Sequence, residues 1–212
     1  MRQNQFTTYE EYRDAQCALT RRKVVRFKST RCFCDSEVIQ NICSVLMEYE
    51  SISNRCTTNK IQGVCHGVRH GKELEFWRNS LGGSWQGTEI FPDLCDGINV
   101  LNCDFDTVMP QWISELDVVY TNSLDHSRNP EHTTDQWWSC VRPSGFLCVE
   151  WTPWHDKLGT GINVADCYAA TFGEYLDLLS LLPDSDVRSI LVESGDSSSD
   201  RHVAIAMKEI PC

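Results

Sequence analysis

Residues 61–71 read IQGVCHGVRHG, a short apolar run that leads into two glycines, Gly67 and Gly71, with an arginine and a histidine between them. The apolar run predicts a β-strand, and the glycines predict a tight turn into the helix that follows. The first N–H groups of a helix have no partner within it and can bind a carboxylate or a phosphate. A pair of glycines is weak evidence by itself, so the fold prediction depends on the pattern beyond residue 71.

Strand-like and helix-like segments alternate after this loop. Strands are predicted at 61–65, 84–90, 98–104, 116–123 and 146–152, and helices at 71–83, 130–141 and 170–182. Two further strands, 186–194 and 201–210, are joined by the polar turn GDSSSD, which favours an antiparallel hairpin. The alternation predicts βαβ units and therefore an α/β fold with a mostly parallel sheet. Ligands of such sheets bind beyond the carboxyl ends of the strands, so the residues there are the candidates for a site.

The first part of the chain has a different pattern. Helices are predicted at 7–25 and 36–49, and the polar stretch 51–60 separates them from the strands. We therefore predict an N-terminal helical extension over residues 1–58, basic in its first half, and an α/β domain over residues 59–212.

Charge is unevenly distributed along the chain. The formal net charge of the 212 residues is −11, yet the first 31 residues contain eight Lys and Arg side chains and three acidic ones. Because the acidic remainder repels phosphate backbones, nucleic acid could bind only through the basic N-terminal segment or with the help of a partner. A solvated helix face is the alternative interpretation of the same basic residues.

Polar side chains follow the predicted strands in turn. Glu89 and Ile90 end the second strand, and a carboxylate at that place can accept both hydroxyls of a ribose. Asp104 and Phe105 follow the third strand, where a carboxylate can accept from an adenine amino group while an aromatic ring covers the base. The fourth strand ends in Asn122, Ser123, Asp125 and His126, and the fifth in Glu150 and His155.

This order of loops and strands resembles the class I S-adenosylmethionine-dependent methyltransferases, a Rossmann-like family, over about residues 60–210. The resemblance rests on the glycine loop, the two acids, the polar loop at 122–127 and the turn at 142–145 ahead of the fifth strand. It implies a three-layer sandwich whose mostly parallel seven-stranded sheet ends in an antiparallel hairpin. It also implies S-adenosylmethionine as the cofactor.

The resemblance assigns cofactor-binding roles by position. Gly67, Arg69, His70 and Gly71 would lie at the methionine part, Glu89 and Ile90 at the ribose, Asp104 and Phe105 at the adenine, and Asn122 and Ser123 at the methionine amino group or the substrate entrance.

The glycine motif of this family is only partly present. Gly63 stands in place of its acid, and Cys65 and Arg69 stand in place of its first and third glycines. Arg69 could pair with the methionine carboxylate, or with Glu73 one turn along the helix. An NAD-dependent dehydrogenase also uses a glycine loop, but its GxGxxG fingerprint is absent here.

Methyl transfer from a sulfonium is an in-line displacement, and a general base assists it when the acceptor is a hydroxyl or an amine. Asp125, His126 and His155 are the predicted catalytic residues, with Glu150 as a further candidate base. No motif identifies the methyl acceptor. Three functions therefore stay open: a methyltransferase acting on a small molecule or a protein side chain, an RNA (cap) methyltransferase domain of a larger assembly, and a non-catalytic binding subunit with a methyltransferase fold.

The chain contains twelve cysteines but no secretory signal, and Cys65, Cys103 and Cys148 lie within predicted strands. Reduced thiols are therefore expected rather than a disulfide framework. Zinc is the other interpretation, but Cys32 and Cys34 form a CxC pair and no CxxC pair exists, so no metal site is predicted. No apolar run is long enough to cross a membrane, and we expect a cytoplasmic protein.

Overall fold

The computed structural model describes residues 2–3, 6–27, 34–94, 99–156, 167–193 and 200–210. Its helices are α1 (Tyr9–Phe27), α2 (Ser36–Leu46), α3 (Glu50–Thr57), α4 (Lys72–Leu81), α5 (Pro130–Cys140) and α6 (Phe172–Ser180). Its strands are β1 (Arg2–Gln3), β2 (Gln62–His66), β3 (Ser84–Glu89), β4 (Val100–Asn102), β5 (Leu116–Thr121), β6 (Val141–Trp151), β7 (Tyr168–Ala169), β8 (Ser185–Val192) and β9 (Arg201–Lys208).

The main sheet has seven strands in the order β4-β3-β2-β5-β6-β9-β8. The strands from β4 to β6 are parallel to their neighbours, whereas β9 lies antiparallel to both β6 and β8. Two strands, β1 and β7, form a separate antiparallel pair that joins the start of the chain to residues 168–169. The predicted fold class, a mostly parallel seven-stranded sheet that ends in an antiparallel hairpin, is confirmed.

Alternate residues of the central strands face two different helix layers. Val118 and Tyr120 lie in the core formed with α2, α3 and α4, whereas Val119, between them, packs with α5 and α6 on the other face. All three side chains are at most 1% exposed. The period of two in a strand puts successive side chains on opposite faces, so a run of apolar residues is needed when both faces are covered. The result is the predicted three-layer sandwich.

Several helix ends are set by local sequence. Asp35 caps α2 by accepting from the backbone N–H of Glu37, and Thr171 forms a capping box with Glu174 at α6. Helix α4 begins after Gly71 and ends before Gly82, which have φ values of 74° and 68°. Glycine adopts such left-handed conformations without the strain caused by a Cβ atom.

The structure differs from the sequence prediction around residues 50–57. This stretch was predicted as a polar connection, but it forms α3, with Ile52 completely buried in the core. Arg55 on α3 and Arg142 on β6 both reach the buried carboxylate of Asp117, which is 0% exposed. The burial of Ile52, the ion pairs with Asp117 and the contacts of Ser51 and Cys56 together attach a helix whose own sequence is largely polar.

The predicted turn at 142–145 also differs from the structure. Strand β6 begins at Val141 and runs through this segment, where its register with β5 shifts between Leu116 and Val118. Ser144 has a left-handed φ of 61°, which marks the irregular point in the strand. The proline and glycine thus indicate an irregularity inside the strand instead of its beginning.

Within the described ranges, no helix is both long and apolar enough to cross a membrane, and no group of three or more His, Cys, Asp or Glu side chains has a geometry suited to a metal ion. The nine cysteines in these ranges are thiols. Cys32 of the CxC pair lies outside the described residues.

Candidate functional site

A cleft lies beyond the carboxyl ends of β2, β3, β4 and β5, and one face of α1 forms its opposite wall. Its volume, counted with the open space at its mouth, is about 450 Å³. It is lined by Tyr12, Gln16, Thr20, Lys23, Gly67, Arg69, Glu89, Ile90, Asp104, Phe105, Ser123 and His126. Eight of these twelve are residues that the sequence predicted for the site.

The backbone of Gly67 lies close to the side chains of Ser123 and Phe105 in the cleft. Its φ is 74°, and its N–H donates to the carbonyl of Thr88 at 2.9 Å. A Cβ atom at this position would lie 2.9 Å from both Cβ and Oγ of Ser123 and 3.3 Å from the ring of Phe105. Only glycine fits this conformation and space without displacing its neighbours.

Arg69 also has a left-handed backbone, with a φ of 53°. It occupies the position of the third glycine in the motif that the sequence resembles, so this part of the loop keeps a glycine-like conformation without the glycine. Cys65, at the position of the first glycine, lies within β2 and is completely buried.

Glu89 is 5% exposed at the end of β3, and its Oε1 accepts from the backbone N–H of Phe91 at 3.0 Å. Burial raises the pKa of this carboxyl. The N–H of Phe91, the charge of Arg69 and the N–H groups of Arg69 and Ile90 oppose that increase. A carboxylate is a hydrogen-bond acceptor, and Glu89 places one at the end of β3 in the lining of the cleft.

Asp104 lies on the same side of the cleft as Glu89. Its Oδ1 accepts from the backbone N–H of Phe105 at 2.7 Å and from the hydroxyl of Tyr12 at 3.4 Å. Burial raises the pKa of Asp104, and the nearby charge of Asp106 raises it further. The ring of Tyr12 also makes a cation–π contact with Arg128, whose guanidinium lies 5.1 Å from the ring centroid.

His126 lies on the other side of the cleft, in the short 3-10 helix Leu124–His126. Its Nε2 is 4.0 Å from Oδ2 of Asp125, while Nε2 of His155 is 3.9 Å from Oδ1 of the same carboxylate. Burial lowers the pKa of His126 well below the ordinary histidine value, and the charges of Lys23 and Arg69 contribute. Burial also lowers the pKa of His155 to about 4 and raises that of Asp125 to about 6. At neutral pH both rings are therefore uncharged, and Asp125 is mostly ionised.

Five predicted residues are not among those that line the cleft: His70, Gly71, Asn122, Asp125 and His155. Asp125 lies next to His126 and His155 next to Asp125, and Asn122 accepts from the hydroxyl of Ser123 at 2.9 Å. Glu150, a further candidate base, is completely buried and accepts hydrogen bonds from Tyr120 and Arg201. Because its carboxylate is hydrogen-bonded within the core, Glu150 is not proposed as the base.

The contribution of α1 was missed by the sequence prediction. Tyr12, Gln16, Thr20 and Lys23 recur at spacings of four, four and three, which places them on one helix face. This polar face was the available signal. A mostly polar helix is usually solvated, however, and only the packing of the folded chain identifies the side that lines a cleft.

No protein-family model and no curated protein matches the sequence, but solved structures do. One is the 1,6-didemethyltoxoflavin-N1-methyltransferase of Burkholderia thailandensis with bound 1,6-didemethyltoxoflavin and S-adenosylhomocysteine: it is 12% identical with a TM-score of 0.68, covering 98% of this chain and 93% of that chain. A SAM-dependent methyltransferase from Archaeoglobus fulgidus is 17% identical with a TM-score of 0.57, covering 82% of this chain and 95% of that chain.

Some similar structures are longer. The citrinin polyketide synthase CMeT domain is 14% identical with a TM-score of 0.53, and the match covers 72% of this chain but 47% of that one. Strand order and structural similarity agree: this chain has the fold of the class I, Rossmann-like S-adenosylmethionine-dependent methyltransferases.

Proposed function

We propose that this chain binds S-adenosylmethionine in the cleft and transfers its methyl group to an acceptor molecule. The observation that carries the proposal is that Gly67, Glu89, Asp104 and Phe105, from three successive strand ends, line one cleft in a sheet with the methyltransferase strand order. Ligands of parallel sheets bind at this edge.

The residues fit the cofactor in three respects. Gly67 lines the cleft in a left-handed conformation, with Ser123 and Phe105 packed close to it, at the place where the resemblance puts the methionine part. Glu89 places an acceptor carboxylate in the cleft lining at the strand end where the resemblance puts the ribose hydroxyls. Asp104 can accept from the adenine amino group beside the ring of Phe105. The hydroxyl of Tyr12 would then either keep its hydrogen bond to the same carboxylate or lose it.

When bound, this cofactor supplies a methyl group on a positively charged sulfur. The remaining task of the protein is to orient the acceptor and remove its proton. His126 is the proposed base because it lines the cleft and is uncharged at neutral pH. Asp125 would stabilise the protonated ring, because its Oδ2 lies 4.0 Å from Nε2 of His126, and His155 lies 3.9 Å from the other oxygen of the same carboxylate.

The basic N-terminal segment contributes to the cleft as well as to the surface of α1. Within the part of the segment that the structure describes, Arg21 lies over the ring of Phe91, Lys23 lines the cleft and Arg22 is exposed. The RNA methyltransferase and the non-catalytic subunit stay as alternatives, and cofactor binding separates the non-catalytic subunit from both kinds of enzyme. Residues 1–58 stay a proposed extension, whose first helix contributes to the cleft.

Isothermal titration with S-adenosylhomocysteine and S-adenosylmethionine tests the proposal. We expect binding in the micromolar range. Glu89→Gln should weaken it by about tenfold to a hundredfold, because hydrogen bonds to a charged acceptor contribute about 1.5–3 kcal/mol. Glu75→Gln is the matched control, since Glu75 is exposed on α4 and should bind normally.

Absence of binding at millimolar concentrations of both compounds would refute the enzyme proposal and favour the non-catalytic subunit. Binding that Glu89→Gln and Glu75→Gln leave equally unchanged would instead show that the cofactor does not use the end of β3.

A further inference from the structure

Gln16 on α1 contacts His126 directly and is 4% exposed. Its Oε1 lies 2.9 Å from Nδ1 of the imidazole. The other end of the amide, Nε2, donates to Sγ of Cys167 at 3.5 Å, and Cys167 is completely buried. Both ends of this amide therefore have a partner, and the two partners lie on two different segments.

An amide oxygen accepts hydrogen bonds and cannot donate them. The nitrogen of His126 that faces it must carry the proton, so the ring is the Nδ1–H tautomer. In a neutral imidazole the other nitrogen then has a lone pair. Nε2 of His126 is consequently the basic atom of the ring.

The charged and titratable groups around His126 agree with this assignment. Lys23 comes from α1, Arg69 from the loop after β2 and His155 from the segment after β6, and all three oppose protonation of His126. The carboxylate of Asp125 faces Nε2 at 4.0 Å. The ring is thus kept neutral before reaction, yet the one nitrogen that can gain a proton faces a negative charge, which would stabilise the cation once formed.

We propose that Gln16 is a positioning residue that holds His126 as the Nδ1–H tautomer, so that Nε2 can take the proton of a hydroxyl or N–H acceptor. This inference rests on the proposed methyl transfer. The acceptor oxygen or nitrogen forms the bond to the methyl carbon, the bond from that carbon to sulfur breaks with its electron pair left on sulfur, and the acceptor proton moves to Nε2. The substrate class is accordingly a protic nucleophile, for which a base is useful.

The test is long-range ¹H–¹⁵N NMR of the full chain with ¹⁵N-labelled histidine at neutral pH, without cofactor. The two tautomers give different patterns of ring cross-peaks, and His126→Asn identifies the signals of this ring. We expect His126 to carry its proton on Nδ1. In Gln16→Met, the ratio of Nδ1–H to Nε2–H should fall by about tenfold, the factor that one hydrogen bond of about 1.4 kcal/mol supplies.

Gln16→Glu is the conservative variant, because it keeps an acceptor oxygen opposite Nδ1. It should retain the Nδ1–H tautomer and raise the titration midpoint of His126, since a carboxylate favours the imidazolium. His132, exposed on α5, is the internal control whose signals should be identical in every variant. Circular dichroism verifies that each variant is folded.

An Nε2–H tautomer in the unmodified chain would overturn the inference, and so would an unchanged tautomer ratio in folded Gln16→Met. These outcomes are independent of cofactor binding, which the titration with S-adenosylhomocysteine measures. If the tautomer is as expected but no cofactor binds, the arrangement of Gln16 and His126 stands while its role in methyl transfer fails.

Discussion

Gly67→Ala should destabilise the folded chain by about 2–4 kcal/mol, even without any ligand. The left-handed backbone at φ 74° costs an L-residue about 1–2 kcal/mol. The added Cβ would lie 2.9 Å from Cβ and Oγ of Ser123, and overpacking of this kind costs about 1–3 kcal/mol. The lower entropy of alanine in the unfolded chain offsets about 0.4–1 kcal/mol of the sum.

The two contributions can be separated by measuring urea unfolding in two backgrounds. In Ser123→Gly the two closest side-chain atoms are gone and only the ring of Phe105 stays near the new Cβ, so Gly67→Ala should destabilise the chain mainly through its backbone, by about 1–2 kcal/mol. Ser123→Gly alone is the matched control. Equal destabilisation in both backgrounds would refute the close approach of Gly67 to Ser123, and with it the view that the loop is shaped as a cradle for the methionine part.

Two further predictions concern stability. His66 is buried and stacks on Trp137 at 4.8 Å, and burial lowers its pKa to about 3. As pH falls below about 6.5, the unfolded state gains a proton at this histidine while the folded state does not, so the free energy of unfolding decreases. His66→Phe should remove about 2 kcal/mol of that decrease between pH 6.5 and 5, measured by urea unfolding at each pH. An unchanged dependence of the unfolding free energy on pH would contradict this. Asp117→Ala leaves Arg55 and Arg142 without their shared carboxylate and should cost about 3–5 kcal/mol, whereas a loss below about 1 kcal/mol would mean that the network contributes little.

The sheet could be predicted because its strands carry strong local signals. β-branched residues and tyrosine concentrate in segments such as 116–121, and glycine, asparagine and serine interrupt them. Once the strands are parallel, their carboxyl ends must meet at one edge, and the acids after β3 and β4 come together without any detailed knowledge of packing. The shared location of Glu89 and Asp104 could therefore be predicted from the sequence.

The wall formed by α1 depended on contacts between distant residues. Gln16 meets His126 and Cys167 across separations of 110 and 151 residues. No local pattern distinguishes a buried glutamine from a solvated one, because helix propensity is the same for both. The helix α3 was missed for a related reason: its attachment uses Ile52 and the pairing of Arg55 with Asp117, which only the folded chain brings together.

The altered glycine motif can be understood from the position of Arg69. A left-handed backbone costs a non-glycine residue about 1–2 kcal/mol, so arginine at φ 53° needs a compensating interaction. The charge of Arg69 and its backbone N–H both favour the ionised form of Glu89, whose burial otherwise raises its pKa. A buried carboxylate that loses its charge also loses much of its capacity to accept hydrogen bonds from a ligand. Arg69 thus lacks the conformational freedom of glycine, but its charge supports the ionised form of Glu89. The irregular loop is therefore compatible with a working cofactor site.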